Sequence, residues 1–101
     1  MEPGAIPETY SLGQNYPNPF NPTTTISFGI PGDAILTIKL YNILGKEIAV
    51  WAENQTYQGG WYEYTFNADA LASGVYYYRM QAQSLSSGTK YSNIKKMMVI
   101  R

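Results

Sequence analysis

The sequence contains no cysteine and no histidine. Without cysteine there is no disulfide and no thiolate metal site, so stability must come from the core alone. Without histidine the commonest general base and the commonest metal ligand are missing. No apolar run approaches the ~20 residues of a membrane span. The stretch Met97-Met98-Val99-Ile100 is far too short. The start, Met1-Glu2-Pro3-Gly4, has neither the basic nor the apolar region of a signal peptide. Any such signal is expected on a part of the polypeptide outside this sequence, with Met1 an added start. There is no glycine-rich phosphate loop. Asp33, Glu47, Glu53, Glu63 and Asp69 are scattered, with no closely spaced carboxylate pair. A non-catalytic protein is expected, without cofactor or metal. Asp33 and Asp69 offer oxygen ligands for calcium, but no EF-hand-like loop surrounds either.

The 101 residues fit one domain. Formal net charge is zero, which argues against nucleic-acid binding. The charges are unevenly placed, however. All seven acids lie at or before Asp69, whereas Lys90, Lys95, Lys96 and Arg101 sit in the last twelve residues. The C-terminal end is therefore locally basic. Solvated lysines on an edge strand, where they discourage aggregation, account for the same pattern.

Fifteen residues in a hundred are aromatic, and ten are tyrosines, a composition that favours strands. Ile26, Phe28 and Ile30 alternate with Ser27 and Gly29. Leu36, Ile38 and Leu40 alternate with Thr37, Lys39 and Tyr41. Ile48 and Val50 follow, then Tyr62, Tyr64 and Phe66, then 75–80 and 91–100. Period two marks strands buried on one face. Turn signals at 31–33, 44–46, 58–60, 73–74 and 86–88 separate them. Short strands at regular spacing favour a sandwich over a βαβ fold. Residues 68–73 fit one helical turn, and no segment has sustained helical periodicity. Leu71-Ala72-Ser73-Gly74-Val75-Tyr76-Tyr77 has the form of a tyrosine corner, in which a hydroxyl bonds back to the upstream backbone. Spacing favours Tyr77 for that role, with Tyr76 the alternative. The expected fold is all-β, an immunoglobulin-like antiparallel β-sandwich of about seven strands. Residues 1–9 are read as a tail or linker and residues 10–101 as the domain.

The segment Gln14-Asn15-Tyr16-Pro17-Asn18-Pro19-Phe20-Asn21-Pro22 does not fit a central strand. Its prolines fix φ and remove backbone donors. A stiff extended arm is expected, with Asx-turns at Asn18 and Asn21 and with Tyr16 and Phe20 pinning it to the sandwich.

This sequence resembles the type A C-terminal sorting domain of the type IX secretion system, which is similar to the immunoglobulin-like domain of the flagellar hook-capping protein. Leu12 with Gln14 to Pro22 matches the family's opening motif, and residues 26–31 match its first strand ending in proline. Leu71 to Tyr76, followed by Tyr78 and Arg79, matches its leucine–alanine–serine–glycine–valine–tyrosine signature. Lys95, Lys96, Met97, Met98, Val99, Ile100 and Arg101 match its closing stretch. The resemblance implies a domain that carries its cargo across the outer membrane. It also implies recognition by the secretion machinery and a surface sorting peptidase, with an upstream cargo domain and with cleavage and transfer to a lipopolysaccharide. The cargo is expected outside the cell or on its surface. Lys95, Lys96, Met97, Val99 and Arg101 are the expected recognition residues. Asn15, Tyr16, Pro17, Asn18, Pro19, Phe20, Asn21, Pro22, Leu71, Gly74, Tyr76 and Tyr77 are expected to be structural. The rival reading is a carbohydrate-binding or passive structural module. Trp51, Trp61 and the many tyrosines offer a flat sugar-binding face, and sugar binding requires Trp61 or several tyrosines to be exposed and coplanar.

Overall fold

In a computed structural model that describes residues 6–101, seven antiparallel strands form two sheets. They are β1 (Ser11–Leu12), β2 (Thr23–Ile30), β3 (Ala34–Tyr41), β4 (Glu47–Tyr57), β5 (Gly60–Asn67), β6 (Gly74–Ser84) and β7 (Lys90–Val99). One sheet has the order β1-β2-β5 and the other β4-β3-β6-β7. The immunoglobulin-like sandwich expected from patterning is therefore present. The fourth strand pairs with the third, leaving three strands in one sheet and four in the other.

The core follows the period-two pattern. Ile26, Phe28 and Ile30 from β2 face Leu36, Ile38 and Leu40 from β3, with Tyr78 and Met80 from β6 and Met97 and Val99 from β7. Each such side chain removed from water contributes roughly 1.5–3 kcal/mol. The pattern misleads in β4. Ile48 and Val50 are exposed at 36% and 42%, while Ala49 and Trp51 turn toward the core. Trp51 is the reason: its ring stacks on Tyr64 and lies 5.0 Å from Phe66 and 5.8 Å from Tyr78. One large indole fills the seam between β4 and β5, where two aliphatic side chains of the other register would leave space. Further along β4, two residues, Glu53 and Asn54, oppose Thr37 at a bulge, one more than regular pairing would place there. Asn54 there has φ of 49°, a conformation asparagine tolerates better than most residues. Its N–H donates to the Thr37 hydroxyl.

Residues 68–73 make a tight turn, not a helical segment: the Leu71 N–H donates to the Ala68 carbonyl. The tyrosine corner belongs to Tyr76. Its hydroxyl donates to the Ala72 carbonyl at 2.9 Å, and its side chain is buried. Tyr77, one residue on, alternates to the opposite face of the sheet, so the spacing that favoured Tyr77 is corrected by one residue. Pro7, within the expected tail, is buried, and Tyr10 stacks on Tyr91 at 5.1 Å.

The arm, the last strand and the candidate recognition surface

The proline-rich segment caps the open edge of β7. A terminal strand exposes unpaired N–H and C=O groups that template aggregation. Here Gln14 Nε2 donates to the Lys96 carbonyl at 2.6 Å, and the Met98 N–H donates to Asn18 Oδ1 at 2.9 Å. The Phe20 N–H donates to the Met98 carbonyl, and the Ile100 N–H donates to the Phe20 carbonyl. Proline has no N–H to leave unbonded, so Pro17, Pro19 and Pro22 set the chain along this edge without adding orphan donors. The Tyr16-Pro17, Asn18-Pro19 and Asn21-Pro22 peptide bonds are cis.

Asn15, 2% exposed, anchors the arm from below. Its side-chain amide donates to Thr24 Oγ1 and to the Pro17 carbonyl, and its Oδ1 accepts from Gln14. Thr24 Oγ1 in turn donates to Pro17. The Asn15 backbone N–H donates to the Tyr78 hydroxyl at 2.8 Å, and that hydroxyl donates to the Gly13 carbonyl at 2.7 Å. Burial pushes the Tyr78 phenol up to about 12. Phe20, 3% exposed, is the apolar pin. Tyr16 is not a pin: it is 81% exposed. The extended backbone turns alternate side chains apart, and Asn15 takes the inner place. Asn18 closes no local Asx-turn but reaches across to Met98, and Asn21 lies exposed at the end of the arm. Tyr78 is the residue sequence reasoning missed. Its signal was the period-two step from Tyr76, which puts both on the inner face.

The expected recognition residues divide by strand parity. Met97 and Val99 are buried in the core, so on the folded surface they are out of reach. Lys96 is exposed and Lys95 half-buried. The Arg101 guanidinium donates to the Ala68 and Asp69 carbonyls at 2.8 Å, and its N–H donates to Ser73. Leu71 packs against the core, and Gly74 begins β6 with φ of 150°, in the region that favours glycine. The outer face of the four-stranded sheet carries Lys39, Arg79 and Lys96 in adjoining rows. Lys39 bonds Glu47 at 3.0 Å, which raises its ammonium pKa, though an exposed pair stabilises the fold little.

The rival sugar-binding face is not favoured. Trp51 is half-buried among its stacking partners, whereas Trp61 lies across Gly29 on the other face of β5. Among the described residues no three acidic side chains gather as a metal site. Asp33 instead accepts the Gly59 N–H. No helix is long and apolar enough to cross a membrane.

The family model for the secretion system C-terminal sorting domain matches residues 14–99, from the arm through β7. The chain belongs to this family. It is a C-terminal sorting signal for type IX secretion, and its cargo is a secreted or cell-surface protein. Sorting domains of this family are non-catalytic. Among solved structures, the chain is similar to CopC from Methylosinus trichosporium OB3b. The identity is 18% over 89% of this chain and 92% of that one, with a TM-score of 0.61. That likeness shows the fold alone. Comparison with curated proteins finds no match.

Proposed function

We propose that the type IX machinery reads this sorting domain in its folded state, on a surface that includes the exposed side of β7. The observation that carries the reading is the clamp between the arm and β7. It joins the first and last motifs of the family match into one rigid edge. A rigid surface loses little conformational entropy on binding. Lys96 on that exposed side and half-buried Lys95 on the opposite side of the strand are the recognition residues of this reading, with Arg101 fixing the strand's end. Residues 1–9 link the sandwich to a covalent upstream cargo. A surface sorting peptidase then removes the domain and transfers the cargo to a lipopolysaccharide.

The test is a fluorescent reporter fused ahead of residues 1–101 in a host with this secretion system. Removing 95–101 would also remove buried Met97 and Val99 and unfold the sandwich, so substitution is the informative route. The wild-type fusion is expected outside the cell. Lys95→Glu with Lys96→Glu is expected to hold a folded reporter in the periplasm. Undiminished export of that variant would remove the lysines from the recognition surface.

A further inference from the structure

The outer face of the β4-β3-β6-β7 sheet carries an uncovered apolar groove with a cation in its wall. Register places Val50, Lys39, Arg79 and Ile94 side by side in one row, and Tyr41, Tyr77 and Lys96 in the next. The β3–β4 hairpin rises beside these rows. Its tip residues Ile43 and Leu44 are 69% and 88% exposed. Between hairpin and sheet lies a groove of about 250 Å³ lined by Tyr41, Ile43, Tyr77, Arg79 and Ile94. Ile94 is itself 53% exposed, and Met98 extends the apolar strip along β7 at 41%.

The hairpin is built to hold this shape. Asn42 Oδ1 accepts the Leu44 and Lys46 N–H groups, and the Asn42 N–H donates to the Lys46 carbonyl. Gly45 takes φ of 81°, which closes the turn. Arg79 is also oriented: its Nε donates to Ser92 Oγ at 3.1 Å. Its terminal nitrogens have no partner among the described residues. Guanidinium is matched to a carboxylate by two parallel N–H donors.

We propose that this groove docks a protein component of the export route through a segment that presents an apolar side chain beside a carboxylate. This rests on the reading of the domain as a folded export signal. Charge decides the occupant. The face carries Lys39, Arg79 and Lys96; its acids Glu47 and Glu53 both act on Lys39, which Glu47 bonds, whereas Arg79 and Lys96 have no ion-pair partner among the described residues. A polyanionic sugar would satisfy the cations but leave Ile43, Ile94 and Met98 against water. An acidic, apolar protein segment covers both. Aliphatic anchors and an arginine together are the usual make-up of a protein-binding centre.

Photo-crosslinking tests the inference in the exporting host. Benzoylphenylalanine replaces Ile94 in the fused domain, and a control replaces Thr65, exposed on the other sheet. The Ile94 position is expected to give one adduct with a secretion-system protein, identified by mass spectrometry, and Thr65 none. Adding Arg79→Glu is expected to cut that adduct about tenfold through lost charge complementarity, with the melting temperature unchanged. Ile43→Ser, which leaves charge alone, is expected to do the same. An exported reporter with no Ile94 adduct would overturn the groove and leave the sorting function standing. So would an adduct of two reporters, a lipopolysaccharide ladder, equal labelling at Thr65, or indifference to both substitutions. A wild-type reporter retained in the cell would instead count against the export reading itself.

Discussion

The backbone N–H of Asn15 donates to the Tyr78 hydroxyl, 63 residues away, at 2.8 Å inside the sandwich. Through that contact the first motif of the sorting domain is fastened to the strand that carries the tyrosine corner. Tyr78→Phe keeps the ring but strands the Asn15 N–H and the Gly13 carbonyl. Leaving buried polar groups unpaired costs about 1–3 kcal/mol. Chemical denaturation should show that loss without a change of fold by circular dichroism.

The same hydroxyl makes the domain sensitive to alkali. Its pKa rises from 10.0 to about 12 on folding. The folded state then holds a proton that the unfolded state releases, so stability falls with pH in this window. The contribution is complete below pH 10 and is lost as pH rises through about 12. The stability gap between wild type and Tyr78→Phe should therefore narrow between those values. Denaturation series at stepped pH measure this gap, and a gap that stayed constant would contradict the assignment.

Phe20 and Tyr16 should behave as opposites. Phe20→Ala empties a buried site at the sandwich edge and should cost ~2–4 kcal/mol. Tyr16→Ala removes an exposed ring and should fall within about 0.5 kcal/mol of wild type. Thermal melts of the pair would check whether the arm is held by its inner face alone.

Asn18 protects a strand edge. Asn18→Ala frees the Met98 N–H, and the expected stability loss is about 1 kcal/mol. The larger effect should be on association, because the exposed edge becomes a template for pairing. Light scattering at raised concentration should detect aggregation in Asn18→Ala before wild type.

Gly29 lets two rings approach the backbone. A Cβ there would stand 2.7 Å from the Trp61 ring and 2.8 Å from Pro7. Gly29→Ala must displace one or both, at a cost of roughly 1–3 kcal/mol for overpacking. Trp61 fluorescence should shift with it. An unshifted spectrum with full stability would show that neither ring is held there.

Much of this was legible in the chain. Alternation in β2 and β3 identified Ile26, Leu36, Leu40 and their neighbours as core, because period two is a local property of an extended backbone. The turns were equally local. The proline segment was readable as an arm because Pro17, Pro19 and Pro22 lack the N–H a central strand requires. The matched motifs carried the sorting role. What the arm is for was not readable, since its partners Lys96, Met98 and Tyr78 lie some 60 to 80 residues away in sequence. Nor was the division of β7 into buried Met97 and Val99 and exposed Lys96 and Met98, nor the outward turn of Ile48 and Val50. Which face of a strand is buried depends on what packs against it. Trp51 filling the seam and the arm closing the edge are decisions made between distant segments. Sequence determined the elements and their function class; tertiary packing decided which side chains remain for a partner to touch.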